Sequence, residues 1–144
     1  FEDMAKRIYV DGMNSLKKSK MHTAYEKGRI ARDDYKFEKA REYFTEAIKA
    51  GDSPEEKKLF KKPEYYKITL GRAYQNRAFC SLNLREFETA IKDLNQAIKL
   101  DPEAQENYIN RGKAYQKLGK AAEARKDFDK AQSLTSTEVS PNSD

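Results

Sequence analysis

The side chains able to do covalent or metal chemistry are few and isolated. His22 is the single histidine and Cys80 the single cysteine. A metal site needs several such ligands at close spacing, and a thiol nucleophile needs a base beside it. Neither pattern surrounds these residues. No phosphate-cradling glycine loop, HExxH or GxSxG is present. Cys80 reads as a small buried packing residue and His22 as a solvated one. No cofactor, metal or catalytic centre is expected, and the chain is not expected to be an enzyme. What remains is recognition chemistry. Arg29, Arg32, Arg72 and Lys113 can hold an acidic peptide through charge-assisted hydrogen bonds; the alternative is that they only solvate an exposed face. Tyr25 and Phe79 can anchor a partner or pack on a neighbouring helix. Asn76 and Asn110 recur in YxNR, where they can hydrogen-bond a peptide backbone or bond within the fold. Arg77 and Arg111, which follow them, are better placed to pair with acids on adjacent helices. Tyr74 and Tyr108 read as packing residues.

A repeat positions these residues. Residues 74–102 return on a shift of 34, with Tyr74 answered by Tyr108, Asn76 by Asn110, Leu84 by Leu118, Ala90 by Ala124 and Ala97 by Ala131. On a shift of 50 in the other direction, FEKA at 37–40 answers FETA at 87–90, and EAIK at 46–49 answers QAIK at 96–99. A period of 34 marks a helix-turn-helix solenoid. Such units stack on their neighbours, so a binding surface is expected before a catalytic cleft.

Helical periodicity supports this. Phe87, Ala90, Ile91, Leu94, Ala97 and Ile98 follow the i, i+3, i+4 rule. So do Phe37, Ala40, Tyr43, Phe44, Ala47 and Ile48, and more weakly Ala121, Ala124, Phe128, Ala131 and Leu134. Each set is the second helix of a pair. The first helices are predicted at about 21–34, 63–84 and 103–118. Asp101-Pro102 predicts an N-cap with proline in the first turn. Gly119 suits a helix C-terminus, whereas Tyr35 and Arg85 hold the same turn position without glycine's freedom at positive φ. Sixteen extra residues separate the first two copies. Within them Ser53 and Glu56 resemble a capping box, a short helix or turn is predicted over 54–62, and the next helix is lengthened at its start. The expected organisation is an N-terminal helical extension over 1–20 and a repeat domain over 21–135. Repeats fall at about 21–52, 68–102 and 103–136, with an insertion at 53–67 and a disordered tail at 136–144.

Composition narrows the class. At 144 residues with 37% charged side chains, the chain makes one domain of thin helix pairs with much exposed face. No apolar run approaches the roughly 20 residues needed to span a bilayer. One cysteine permits no internal disulfide and favours a reducing compartment, so a cytoplasmic location is expected. The net charge of +5 is spread along the chain, and most lysines and arginines lie within a turn of an acid. Only KKLFKKPEYYK at 57–67 interleaves lysines with aromatics. It can touch RNA or an anionic membrane; the alternative is a helix whose aromatics pack inward while its lysines stay wet. Nucleic acid and membrane are therefore not the expected partners.

The recurring positions resemble the tetratricopeptide repeat (TPR) family over about residues 21–135. The second copy carries Tyr74, Ala78, Ala90, Leu94, Ala97 and Pro102, and the third Tyr108, Gly112, Tyr115, Gly119, Ala124, Phe128 and Ala131. The first carries Gly28, Ala31, Ala40, Phe44 and Ala47. Ala78 is expected to face Ala90 and Gly112 to face Ala124, with Phe44, Phe87 and Phe128 filling the gaps between pairs. The resemblance implies an all-α, right-handed α-solenoid (superhelix) that holds a peptide or partner protein in a concave groove lined by the first helices. By the family's positions, that groove presents Tyr25, Arg29 and Arg32, then Arg72, Gln75, Asn76 and Phe79. Glu106, Ile109, Asn110 and Lys113 come last, with Lys117 at the edge. A subclass of the family clamps chaperone C-terminal carboxylates with Lys and Asn, then Asn, then Lys and Arg. Asn76 matches the central asparagine. Tyr25, Arg29, Glu106 and Asn110 stand at the other four positions, and Glu106 would repel a carboxylate. The large immunophilins offer a looser likeness, a long insertion between the first and second repeats.

The expected function is a non-catalytic protein-protein interaction module, an adaptor or co-chaperone-like scaffold, whose ligand carries an acidic segment or C-terminus. Two alternatives stay open. One is self-association or assembly through ends left uncovered near Phe128 and Leu134, giving a homo-oligomer. The other is RNA or anionic-membrane association through residues 57–67.

Overall fold

The computed structural model describes residues 19–60 and 62–136. The helical extension expected before residue 19 and the tail expected after residue 136 lie outside the described residues. The helices are α1 (Lys20–Asp33), α2 (Phe37–Gly51), α3 (Pro54–Leu59), α4 (Pro63–Asn83), α5 (Phe87–Leu100), α6 (Gln105–Lys117) and α7 (Ala121–Ser136), with no strand among the described residues. Helix α1 packs on α2, α4 on α5 and α6 on α7, and successive pairs meet through α2 on α4 and α5 on α6. The result is an all-α solenoid. No helix among the described residues is long and apolar enough to cross a membrane.

The three turns inside the pairs share one geometry. Their middle residues, Tyr35, Arg85 and Gly119, have φ of 59°, 62° and 75°. The next amide then reaches back to a carbonyl five residues earlier: Lys36 to Ala31 at 2.9 Å, Glu86 to Ser81 at 2.8 Å and Lys120 to Tyr115 at 2.9 Å. These are Schellman closures, which satisfy carbonyls that a helix end would otherwise orphan. Tyr35 and Arg85 adopt the left-handed conformation despite their Cβ atoms, against a cost of roughly 1–2 kcal/mol each.

Within a pair, a small residue on the first helix admits a large one sixteen positions later. A Cβ at Gly28 would lie 2.6 Å from the Phe44 ring, and one at Gly112 would lie 2.7 Å from the Phe128 ring. The nearest atoms at Gly112 thus belong to Phe128, where the sequence suggested Ala124. Ala78 and Leu94 take these places in the α4–α5 pair, both fully buried. Phe44 is also fully buried, whereas Phe87 and Phe128 are only half-buried.

A fork-like ion pair repeats in the second and third pairs. Arg77 donates to Asp93 at 2.7 and 2.8 Å, and Arg111 donates to Asp127 at 2.7 and 2.9 Å. Each guanidinium also reaches the preceding pair, Arg77 to Thr45 at 3.3 Å and Arg111 to Asn95 at 2.9 Å.

Two local expectations are corrected. The Ser53–Glu56 capping box does not form: Ser53 Oγ donates to the Glu55 carboxylate at 2.7 Å and accepts no backbone amide of α3. Glu56 instead turns to the start of α1. Its carboxylate accepts Ser19 Oγ at 2.8 Å, the Lys20 amide at 2.8 Å and the Met21 amide at 3.2 Å. Free amides and the helix dipole make that end attractive to a carboxylate. Asp101-Pro102 does not start α6 either. Asp101 Oδ1 accepts the Glu103 amide at 3.2 Å in a local turn, and the helix begins at Gln105 behind an uncapped Ala104. Between the first two pairs, Phe60 is buried and packs edge-on against Tyr66 at 5.8 Å, and the Tyr66 hydroxyl donates to the Gly51 carbonyl. Lys57, Lys58 and Lys62 remain exposed.

Candidate functional site: a concave groove

The first helices of the pairs share one face because each pair stacks in the same sense. Between α1, α4 and α6 lies an open groove of about 800 Å³. Of the residues expected there, Tyr25, Arg32, Arg72, Gln75, Asn76, Phe79, Glu106 and Asn110 line it. Arg29, Ile109 and Lys113 do not. Arg29 turns to an ion pair with Glu26 at 3.1 Å, Ile109 is half-buried and Lys113 is exposed elsewhere. Sequence reasoning missed Asp33, Tyr35, Phe37 and Asn83, which also line it.

The floor is polar and internally bonded. Asn76 donates from Nδ2 to the Arg72 carbonyl at 2.8 Å and to the Tyr25 hydroxyl at 3.4 Å, while its Oδ1 accepts from Arg32. Arg32 is further held by Asp33 at 2.9 Å. Asn76 is buried, so these bonds satisfy an amide that would otherwise be costly. It acts as a node joining α1 to α4. Gln75 donates to Glu106 at 3.2 Å and ties α4 to α6.

The rim differs. Phe79 is 38% exposed and meets Phe37 edge-on at 6.1 Å, and Phe37 meets Tyr35 edge-on at 6.2 Å. Tyr35 is 81% exposed. These rings form an apolar ladder at the α1–α2 turn. Arg72 stands exposed one and a half to two turns away on α4, and no hydrogen bond or ion pair engages its guanidinium among the described residues. The buried thiol of Cys80 is pushed up to about 11 by burial, with Arg32 and Arg41 opposing. It is therefore inert at neutral pH. No cluster of His, Cys, Asp or Glu able to hold a metal occurs among the described residues.

Stacked helix pairs with a shared inner face define a helical-repeat scaffold. Residues 84–119 match the family described as TPR repeat, and residues 105–137 the family described as Tetratricopeptide repeat. The chain belongs to the tetratricopeptide-repeat family. It is 30% identical over 98 residues to Heat shock protein STI1 of Saccharomyces cerevisiae, a stretch covering 68% of this chain and 14% of that protein. The second TPR of Spaghetti (RPAP3), solved bound to the HSP90 peptide SRMEEVD, is 27% identical with a TM-score of 0.67, covering 85% of this chain and 98% of that one. The TPR2B domain of yeast Sti1, solved as a complex with pHsp70, is 27% identical with a TM-score of 0.66, covering 83% and 82%.

Proposed function

We propose that the chain binds an extended segment of a partner protein in the groove between α1, α4 and α6, as an adaptor or co-chaperone-like scaffold of the cytoplasm. One observation carries this reading: Phe79 and Arg72, an exposed apolar anchor and a free cation, stand seven residues apart on one face of α4 and look into the same groove. The similar domains solved with HSP90 and Hsp70 ligands support the groove as the working face. The Gly28–Phe44 contact, twin of Gly112–Phe128, supports counting α1–α2 as a further repeat.

The ligand is held differently from a clamped chaperone C-terminus. Tyr25, Arg29, Glu106 and Asn110 occupy four of the five clamp positions, and Arg29 lies outside the groove. Asn76, the fifth, is already bonded to Arg32, Tyr25 and the Arg72 carbonyl. Glu106 disfavours a pair of carboxylates. Recognition then rests on apolar contact at Phe79 and one acid at Arg72, with Asn110 available to a peptide backbone.

Fluorescence anisotropy tests this with a panel of acidic and neutral peptides titrated into the wild type and the Arg72→Glu/Phe79→Ser double variant. Acidic peptides that bind the wild type and fail to bind the variant support the groove. Equal binding to both proteins overturns it.

A further inference from the structure

The lengthened start of α4 extends the groove. Ile68, Arg72, Gln75 and Phe79 follow i, i+4, i+7, i+11 and form one stripe along α4. A second hollow of about 610 Å³ is lined by Ile68, Gly71 and Leu100, and it shares Arg72, Gln75 and Glu106 with the first. The two hollows thus join along α4 as one trough, with an exposed apolar side chain toward each end, Ile68 and Phe79, and Arg72 between them; Glu64, Lys67 and Asp101 also border the far hollow. At the far end Ile68 is 46% exposed, although isoleucine is among the residues most often buried. Gly71 adds no side chain to the floor there, where the nearest atom to a built Cβ is the Leu100 Cβ at 3.6 Å.

We infer that this trough takes an extended peptide with two apolar residues flanking a single acid. The inference rests on the groove reading above and deepens it by naming the ligand pattern. At 1.5 Å of rise per helical residue, Ile68 and Arg72 lie about 6 Å apart, and Arg72 and Phe79 about 10 Å apart. An extended chain advances about 3.3 Å per residue. An apolar residue on Ile68 therefore places the acid about two residues on, at Arg72, and the second apolar residue about three beyond it, on Phe79. Charge complementarity sets the middle position: Arg72 is free for one carboxylate, while Glu106, tied to Gln75, lines the same stretch and rejects a run of acids. Arg72 makes the acid specific, and the two apolar side chains fix the register. No chain terminus is needed.

The test uses three hexapeptides of one composition, acetylated and amidated so that neither end carries charge. The first reads leucine, serine, glutamate, serine, serine, phenylalanine. The second is its reverse, because the trough has no built-in direction. The third places the glutamate at an end with the two apolar residues adjacent. One of the ordered peptides is expected to bind at least about tenfold more tightly than the third. Ile68→Ser and Phe79→Ser each remove that advantage, and Arg72→Glu transfers it to a peptide with lysine in place of glutamate. These side chains are exposed, and unchanged circular dichroism verifies that the variants fold. An advantage lost with Phe79→Ser and kept with Ile68→Ser overturns the extended trough and leaves the groove standing. Equal binding of ordered and disordered peptides, or no binding of any, also overturns the pattern; the panel of acidic and neutral peptides above then decides the groove separately. Binding indifferent to Phe79→Ser overturns both.

Discussion

The carboxylate of Glu56 accepts the hydroxyl of Ser19 at 2.8 Å, across 37 residues of chain. It also receives the amides of Lys20 and Met21, so one buried side chain from α3 caps the first turn of α1. Glu56→Ala leaves these donors without a partner and is expected to cost about 1–3 kcal/mol. The exposed neighbour change Glu55→Ala should stay within about 0.5 kcal/mol. Urea unfolding of the two variants compares them directly, and equal midpoints would contradict the cap.

Gly28 and Gly112 meet aromatic rings at almost the same distance, yet they should respond differently. Phe44 is fully buried and cannot yield, whereas Phe128 is half-buried and can swing outward. Gly28→Ala is expected to destabilise by about 1–3 kcal/mol, and Gly112→Ala by clearly less. Phe44→Ala should cost about 3–5 kcal/mol. Thermal melts of the three variants check the order.

Asp93 is buried beneath the Arg77 guanidinium, and each partner satisfies the other. Arg77→Met alone strands the carboxylate, with an expected loss toward the lower end of about 3–5 kcal/mol because the pair is partly exposed. The double change Arg77→Met/Asp93→Leu should lose less than that single change, since apolar replacements carry no desolvation penalty. A double-mutant cycle by chemical denaturation decides this. A double variant less stable than Arg77→Met would refute it.

Burial raises the Cys80 thiol from its ordinary value of 9.0 to about 11, with Arg32 and Arg41 opposing. Between those values the unfolded chain releases a proton that the native state keeps. The stability linked to this thiol is therefore fully present below about pH 9 and is lost as pH rises toward 11. In Cys80→Ala the alkaline decline should begin later. Burial raises the hydroxyls of Tyr66, Tyr74 and Tyr108 above their ordinary 10.0, so their share of the decline remains. Stability measured from pH 8 to 11 tests the difference, and identical profiles would exclude a role for the thiol.

The helix pairs were legible because their signals are local. The 3.6-residue apolar stripe needs no knowledge of distant residues, and the equivalence of Tyr35 and Arg85 with Gly119 exposed the shared turn. Arg77 and Arg111 could be assigned to acids of neighbouring helices from their repetition. Longer-range polar contacts were not legible. Asn76 offered its amide to a ligand on paper, but Arg32, 44 residues away, accepts the role of partner. Glu56 fitted a capping box three residues from Ser53, and the unpaired first-turn amides of α1 won it. Asp101 was read as a cap, yet its short side chain closed a turn first. Tyr35 was noticed only for its backbone, which hid the aromatic rim it builds with Phe37 and Phe79.

Arg77 grips Asp93 within its own pair and Thr45 in the pair before; Arg111 does the same with Asp127 and Asn95. One guanidinium thus closes both a pair and its junction. Neither can open while the other stays fully bonded, so the unit of cooperativity is larger than one hairpin. Amides on both sides of the α2–α4 and α5–α6 junctions should exchange with solvent through a common opening event rather than pair by pair.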